Sequence, residues 1–346
     1  MRSLDSDSIE KVDSGHMLGD VLAQPLQLGD ALWRAQSAGI RPYDTPGGLV
    51  VCGMGGSAIG GDLAVAALGD RATRSITVVR GYGLEAWTPP ETLVLCSSYS
   101  GETEETLACF EAAGAAGARR VVLTTGGTLA RLAREEDVPV IGVPAGMEPR
   151  AAVVYMTIGA MECAALCGAA PGLHAEIDTA TALLERLVEE WGPGSPDDSL
   201  AKDVARRLSG TIPVIHGAAG TTAPARRWST QIQENANGAA FWTELPEANH
   251  NQICGWESGR AEAPFSGVFL CDPDQHPRVK SHMDLTAAEL ERAGAPSLQV
   301  QARGESRLER VLSLVLLGDL VSVYMAALAG VDPTPTEALT RLKRQL

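Results

Sequence analysis

The chain has 346 residues, of which 45% are hydrophobic, and its formal net charge is −15 at pH 7. This length and composition predict a globular protein with enough apolar side chains for two ordinary domains. The negative charge, together with lysines and arginines that form no dense basic run, argues against binding to nucleic acid.

Residues 1–40 are predicted to form an N-terminal helical arm, because apolar residues recur at helical spacing over 17–38, with a break or kink at Pro25. Residues 41–192 alternate between short apolar runs and helical patterns. This βαβ repetition predicts a first domain with a parallel sheet flanked by helices. The strands of this domain are predicted at 49–52, 75–79, 92–96, 120–124 and 138–143.

Residues 193–198, with the sequence Pro-Gly-Ser-Pro-Asp-Asp, are predicted to be a linker. A second domain of the same kind is predicted for 199–330, with strands at 212–216, 267–271 and 298–301. A C-terminal tail follows at 331–346 and should end in a short helix. The predicted fold class is therefore α/β, with two tandem sandwich domains whose parallel sheets are flanked by helices.

A hydroxyl-rich stretch at 97–106, Ser-Ser-Tyr-Ser-Gly-Glu-Thr-Glu-Glu-Thr, connects a predicted strand to a predicted helix. At such a turn the backbone N–H groups and the positive end of the helix dipole favour an anion. Ser98, Ser100 and Thr103 add side-chain donors, and Gly101 allows close approach of the backbone. Plain helix capping is the alternative, although the stretch holds more hydroxyl groups than a cap requires.

A glycine-rich loop at 53–61, Gly-Met-Gly-Gly-Ser-Ala-Ile-Gly-Gly, follows the first predicted strand. A dinucleotide-binding fingerprint has similar spacing, but no acidic residue ends the second predicted strand, and the Gly-Lys-Ser/Thr of a Walker A loop is missing. We therefore favour a second wall of a phosphate pocket, in which Gly56 allows close approach and Ser57 supplies a hydroxyl.

The sequence favours a soluble, cytoplasmic protein. It contains no uninterrupted apolar run of the ~20 residues that a membrane helix needs, and its polar N-terminus does not resemble a signal peptide. Seven scattered cysteines are typical of reduced thiols. Cys163 and Cys167 stand four residues apart on a predicted helix, but no partner motif predicts a metal site there.

Six short motifs occur together in this chain, at 53–62, 98–106, 149–150, 233–237 (Gln-Glu-Asn-Ala-Asn), 249–251 (Asn-His-Asn) and 332–335 with 342–343 (Asp-Pro-Thr-Pro and Leu-Lys). In this order they resemble the bifunctional phosphoglucose/phosphomannose isomerases of the sugar isomerase domain superfamily. The resemblance extends over about 15–346. The first two motifs are shared with non-catalytic sugar-phosphate sensors, whereas those of the second half are specific to the isomerases.

This resemblance implies isomerisation of glucose 6-phosphate or mannose 6-phosphate to fructose 6-phosphate through a cis-enediol, without a metal or cofactor. Glu234 is then the base that moves a proton between C1 and C2. Arg150 stabilises the enediolate. His250 opens the sugar ring with the assistance of Lys343.

The resemblance also implies which residues bind the substrate. Thr336 lines the region where either configuration at C2 is tolerated. The phosphate is held by Gly56, Ser57, Ser98, Ser100 and Thr103. The active unit is expected to be a homodimer, because in this family the ring-opening histidine, here His250, comes from the neighbouring subunit.

One residue departs from the family pattern. Glu102 stands where the family usually has a small or amide residue, and a carboxylate next to a phosphate would be repulsive. We therefore expect Glu102 to face solvent. No catalytic role is predicted for His216, His276 or His282.

Two other functions remain open at this point. A sugar-phosphate-binding regulator that has lost its chemistry would keep the phosphate loop, but it would not need Glu234, His250, Arg150 and Lys343. A dinucleotide-dependent enzyme would need the missing acidic residue.

Overall fold

The computed structural model describes residues 3–257, 261, 263–343 and 345, with Lys343 as backbone only. The chain divides into two compact units. The five-strand unit comprises Ala23–Ala182 and Ser306–Glu309, and the four-strand unit comprises Met1–Leu22, Leu183–Glu305 and Arg310–Leu346.

Helices and strands are numbered along the chain. The strands are β1 (Leu49–Cys52), β2 (Ile76–Val79), β3 (Leu93–Ser97), β4 (Arg119–Thr124), β5 (Val140–Gly142), β6 (Ile212–Gly217), β7 (Phe241–Glu244), β8 (Phe265–Cys271) and β9 (Ser297–Gln301). The helices are α1 (Ser6–Glu10), α2 (Met17–Leu22), α3 (Gln24–Ser37), α4 (Gly55–Leu68), α5 (Glu104–Ala115), α6 (Gly127–Glu135), α7 (Val153–Leu166), α8 (His174–Trp191), α9 (Leu200–Leu208), α10 (Thr222–Ala236), α11 (Pro277–Arg292), α12 (Arg307–Ala329) and α13 (Glu337–Lys343).

The five-strand unit contains a parallel sheet with the strand order β2-β1-β3-β4-β5. Strands β1 and β3 are completely buried, as expected for central strands covered on both faces. The chain leaves β1 toward one edge of the sheet and returns at β3 toward the other edge. The carboxyl ends of β1 and β3 therefore form a topological switch point, which is where ligands bind in open α/β sheets.

Helix α7 packs closely against α4, and this contact fixes the segment that precedes α7. A Cβ atom on Gly60 would lie 2.4 Å from Cβ of Met156, so the two helices approach nearer than any larger residue would permit. A Cβ atom on Gly56 would likewise lie 2.9 Å from the carbonyl oxygen of Pro149 and 3.2 Å from Cα of Arg150. The N-terminus of α4 thus lies against the backbone of Arg150.

The four-strand unit contains a second parallel sheet with the order β7-β6-β8-β9. Helix α12 is its longest helix and is apolar and long enough to cross a membrane, but 94% of its most apolar window is buried. Trp228 on α10 is fully buried and donates from Nε1 to the carbonyl oxygen of Leu314 on α12 (2.7 Å). Helix α12 therefore has the burial of a core helix in a soluble protein.

The predicted α/β class and the two parallel sheets are confirmed. Strand β1 has the predicted bounds, and each of the other predicted strands overlaps an observed strand. The break predicted at Pro25 falls at Ala23, between α2 and α3, and Pro25 occupies the first turn of α3. The prediction omitted β7, an edge strand in which Phe241 and Trp242 are exposed.

Candidate active site

The two loops predicted to bind phosphate lie side by side at the switch point of the five-strand unit. The backbone N–H of Tyr99 donates to the hydroxyl of Ser57 (3.2 Å), which joins the turn after β3 to the first turn of α4. The hydroxyl of Ser97 donates to the carbonyl oxygen of Ser57 (3.5 Å). The structure thus brings the N-termini of α4 and α5 to one place, where an anion would meet the positive ends of two helices.

The hydroxyl groups of this turn are arranged around its backbone. Ser98 and Thr103 share a hydrogen bond between their side-chain oxygens (2.8 Å), and the N–H of Gly101 donates to the Ser98 hydroxyl (3.1 Å). Ser100 is exposed and accepts from the N–H of Glu102 (3.2 Å). Thr103 occupies the N-cap position of α5, but its hydroxyl is paired with Ser98 and does not cap the helix. The plain capping interpretation therefore does not describe what Thr103 does.

Gly101 is required by the geometry of the turn. Its φ is +71°, and a Cβ atom there would lie 1.9 Å from the carbonyl oxygen of Gly126. Both the backbone conformation and the close approach exclude a larger residue.

Glu102 is exposed, as predicted. Its carboxylate oxygen Oε1 accepts from the backbone N–H of Thr128 (2.8 Å), in the first turn of α6. A carboxylate at a helix N-terminus interacts favourably with the helix dipole. The negative charge that departs from the family pattern is therefore held by a neighbouring helix.

Arg150 lies next to the N-terminus of α4 and is 3% exposed. Its guanidinium nitrogen Nη1 lies 3.2 Å from Oε2 of Glu148. The five-strand unit thus brings a buried cation and the hydroxyl-rich turn together with Gly56, because the segment before α7 packs on α4.

Glu234 lies in the last turn of α10 and is partly buried. Both neighbouring residues fix the backbone around it: Gln233 donates from Nε2 to the carbonyl oxygen of Ala240 (2.6 Å), and Asn235 donates from Nδ2 to the hydroxyl of Ser322 (2.9 Å). Asn237 ends the helix in the left-handed conformation. The carboxylate of Glu234 is therefore carried by a helix end that is anchored on both sides.

A cavity of about 630 Å³ lies beside this helix end and the C-terminal tail, lined by residues that include Gln233, Asn237, Asp332, Pro335 and Glu337. Thr336 stands between two of these lining residues and is partly buried. The backbone of Lys343 ends α13, and its side chain lies outside the described residues.

The tail is tied to the N-terminal residues of the same unit. Ser14 donates to the carboxylate of Asp332, and this carboxylate also accepts from the N–H of Thr334 (2.9 Å). Burial opposes ionisation of Asp332, but the hydrogen bonds from Ser14 and Thr334 hold its pKa below the usual value. Gly15 packs so closely that a Cβ atom there would overlap the side chain of Thr334. The tail that carries Thr336 is thus anchored.

His250 is exposed at the end of a 3₁₀ turn, Glu247–His250, which follows β7. Its neighbour Asn249 points inward and shares hydrogen bonds with His282 and Thr286 of α11. Sequence reasoning missed this contact with His282, for which it predicted no catalytic role. Within the described residues, no group of three or more His, Cys, Asp or Glu side chains has an arrangement that could hold a metal ion.

A second cavity of about 740 Å³ lies beneath the His250 turn. His216 lines it, stacks on Phe269 with ring centroids 4.3 Å apart, and is 3% exposed. Burial lowers the pKa of His216 to about 4, so the ring is neutral at physiological pH.

Comparison with known proteins places this architecture in one family. Residues 197–346 match the model of the bacterial phospho-glucose isomerase C-terminal SIS domain. The bifunctional phosphoglucose/phosphomannose isomerase of Caldicellulosiruptor bescii is 38% identical over 301 residues, covering 86% of this chain and 89% of that protein. The enzyme of the same description from Aquifex aeolicus is 35% identical, covering 91% of this chain and 94% of its own.

A solved structure shows the same fold at lower identity. The glucose-6-phosphate isomerase-like protein of Thermus thermophilus superposes with a TM-score of 0.63 at 19% identity, covering 100% of both chains. The fold agrees with the sequence comparisons, and the matches to the two curated relatives cover 86% and 91% of this chain. The chain therefore belongs to the bifunctional phosphoglucose/phosphomannose isomerase family.

Proposed function

We propose that this protein interconverts glucose 6-phosphate and mannose 6-phosphate with fructose 6-phosphate, through a cis-enediol and without a metal. The observation that carries the proposal is the identity of 38%, over 86% of the chain, to a bifunctional phosphoglucose/phosphomannose isomerase. We also place the enzyme in the cytoplasm. Its seven cysteines are all free thiols, which suits a reducing compartment.

The phosphate of the substrate is proposed to bind at the switch point of the five-strand unit. The Ser98–Thr103 hydroxyl pair, the exposed Ser100 and the first turns of α4 and α5 supply donors. Ser57 can donate its hydroxyl hydrogen because its oxygen already accepts from Tyr99. Gly56 leaves room for an anion to approach the backbone.

Glu234 is proposed to be the base that moves the proton. A cis-enediol is planar, so one carboxylate on one face can take a proton from C2 and return it to C1. Deprotonation of either C2 epimer gives the same cis-enediol, but the two C2 protons lie on opposite faces of it. One base can therefore serve glucose and mannose phosphates alike when the enediol turns about the C2–C3 bond and presents either face to the carboxylate. Thr336 is proposed to line the space that admits both configurations.

The remaining roles concern charge and ring opening. Arg150 is buried beside the anion-binding turn, and we propose that it stabilises the enediolate, where a fixed cation is most effective in a site that excludes water. His250 is proposed to move the proton that opens the pyranose ring, with Lys343 assisting.

A coupled assay tests the proposal. Fructose 6-phosphate formation should be measured from glucose 6-phosphate and from mannose 6-phosphate, each with and without a metal chelator. We expect turnover of both sugars and no effect of the chelator. Turnover that disappears with chelator would contradict the metal-independent mechanism. If both sugars bind but neither is converted, the protein is a sugar-phosphate sensor instead of an isomerase.

We further propose that the active form is a homodimer in which His250 acts in the site of the partner subunit. Two features support this assignment. The His250 side chain is exposed although the neighbouring Asn249 is pinned to α11, and two large side chains of the adjacent edge strand, Phe241 and Trp242, are exposed as well. An exposed catalytic group beside exposed aromatic residues is expected where a second subunit completes the site.

Hybrid dimers give a direct test of this arrangement. Glu234→Gln and His250→Ala dimers should each be nearly inactive. If His250 acts across the interface, a hybrid dimer has one intact site, because the His250→Ala protomer receives the histidine of its Glu234→Gln partner. An equimolar mixture, after subunit exchange, should then recover roughly a quarter of wild-type activity. No recovery, with exchange demonstrated by tagged subunits, would show that His250 acts within its own subunit.

A further inference from the structure

The segment that carries His250 is supported by packing only in part: Ala248 is buried in the hydrophobic cluster of the four-strand unit, whereas His250 is exposed. It consists of two 3₁₀ turns, Glu247–His250 and Gln252–Trp256, between β7 and β8. The cavity of about 740 Å³ separates part of these turns from the sheet, with Val214 and His216 on the strand side. The side chains that face the cavity, among them Asn249, Gln252 and Ile253, lack part of the close contacts that normally fix side chains in a core. Specific polar contacts should therefore add to the packing of Ala248 in fixing the position of His250.

The anchor next to His250 is Asn249. Its side-chain amide nitrogen pairs with Nδ1 of His282 (2.9 Å), and its amide oxygen accepts from the hydroxyl of Thr286 (2.9 Å). The Thr286 hydroxyl shares its hydrogen with the carbonyl oxygen of His282 (2.7 Å). His282 and Thr286 are four residues apart on α11, so they lie on one face of the helix. The amide of Asn249 is thus held at both ends by a single helix face.

Helix α11 is itself a rigid support. Met283 and Leu290 are fully buried, Ala287 is buried as well, and all three belong to the hydrophobic cluster of the four-strand unit. Thr286 is 3% exposed. The hydrogen bonds to Asn249 therefore connect the turn to a part of the structure that cannot move without disturbing the core.

We propose that His282 and Thr286 are positioning residues for ring opening, which act on His250 through Asn249. This inference rests on the proposed function, since it assigns His250 the ring-opening step. Asn249 directly precedes His250 in the same 3₁₀ turn, so a shift of the Asn249 side chain moves the backbone that carries the imidazole. Displacement of a catalytic group by about 1 Å can cost on the order of 10²-fold in rate.

The contact with Asn249 needs the ring nitrogen of His282 and the hydroxyl of Thr286, so variants can be chosen that remove or keep each group. Thr286→Val keeps the shape and removes the hydroxyl, whereas Thr286→Ser keeps the hydroxyl. His282→Leu removes the ring nitrogen, whereas His282→Asn places an amide oxygen or nitrogen near the position of Nδ1. We expect Val and Leu to lower kcat about 10- to 100-fold, and Ser and Asn to retain most of the activity. Ser281→Ala, on an exposed face of α11, is the control and should behave like wild type.

A second readout separates ring opening from proton transfer. Opening and reclosing the pyranose interconverts the α and β anomers of glucose 6-phosphate, and this exchange can be followed by NMR without isomerisation. In a Glu234→Gln background, which blocks proton transfer, enzyme-catalysed anomer exchange should persist. Adding His282→Leu or Thr286→Val should then lower the exchange rate by the same factor as it lowers kcat in the otherwise native enzyme.

Binding of an open-chain five-carbon aldonate phosphate, which mimics the enediolate, should be unchanged in these variants. Full activity in His282→Leu and Thr286→Val would overturn the proposal. A loss of isomerisation with unchanged anomer exchange would also overturn it, because the effect would then lie on proton transfer. So would a parallel loss of mimic binding, which would indicate general damage to the structure. If the wild-type protein converts neither hexose phosphate, the proposed function fails, and this inference fails with it.

Discussion

Replacing Glu234 by glutamine should lower kcat for both hexose phosphates by about 10²- to 10⁴-fold, the usual worth of a positioned general base. Glutamine keeps the size and the hydrogen-bonding capacity of the side chain but cannot accept a proton. KM should change little, because the phosphate is proposed to be held by the five-strand unit. The measurement is the coupled assay with glucose 6-phosphate and mannose 6-phosphate under saturating conditions.

A matched control lies one residue away. Gln233→Glu introduces a carboxylate on the same helix turn and also removes the donor to Ala240, so it should not restore activity when combined with Glu234→Gln. His250→Ala is the complementary variant: it should lose anomer exchange together with isomerisation, whereas Glu234→Gln should lose isomerisation alone. If Glu234→Gln retained more than about a tenth of wild-type kcat, the base would be another residue.

The five-strand unit could be predicted well from sequence because its strands are buried on both faces. A central parallel strand is an uninterrupted apolar run, and Leu49–Cys52 was predicted with the bounds that the structure has. The strand order then follows from the crossover rules only in part. The turns after β1 and β3 lie side by side because β2 and β3 are placed on opposite sides of β1. The glycine-rich loop and the hydroxyl-rich stretch indicated this arrangement only indirectly.

The edge strand β7 could not be predicted in the same way. An edge strand pairs on one side only and has fewer buried positions, so its sequence carries neither a continuous apolar run nor a clean alternation. In β7 only Thr243 is buried, while Phe241 and Trp242 are 56% and 39% exposed. The segment therefore resembled a loop.

The hydrogen bonds that hold the turn of His250 were the feature least predictable from the sequence. Asn249 and His282 are separated by 33 residues, and their hydrogen bond depends on how α11 packs on β8 and β9. Nothing in the spacing of the histidines along the chain indicates this contact. The motif Asn-His-Asn points to His250, but only the structure shows that the first asparagine faces α11 and that the histidine is exposed.

The helix that carries Glu234, α10, is held to α12 by a buried ion pair. Arg227 of α10 and Asp319 of α12 are each 1% exposed. They form two parallel hydrogen bonds, Nε to Oδ1 at 2.9 Å and Nη2 to Oδ2 at 2.7 Å. The same stretch of α12 also supports Asn235, because the Ser322 hydroxyl that accepts from Asn235 donates to the carbonyl oxygen of Asp319 (2.7 Å).

Replacing Asp319 by alanine should lower the free energy of unfolding by about 3–5 kcal/mol, because it leaves the guanidinium of Arg227 buried without this carboxylate. Urea unfolding followed by tryptophan fluorescence measures the change. The exposed pair Arg131 and Glu135 provides the control: Arg131→Ala should cost less than about 1 kcal/mol.

The double variant Arg227→Met/Asp319→Leu separates the contribution of the ion pair to stability from its contribution to the position of Glu234. Removing both charges also removes the desolvation cost, so the double variant should recover much of the stability that Asp319→Ala loses. Its kcat should nevertheless stay below that of the wild type, because Glu234 lies two turns beyond Arg227 on α10 and the bidentate contact that fixes the rotation of this helix is gone. Recovery of both stability and kcat would show that apolar packing alone positions Glu234. A loss of less than about 1 kcal/mol in Asp319→Ala, like that of the exposed pair, would show that α10 does not depend on this ion pair.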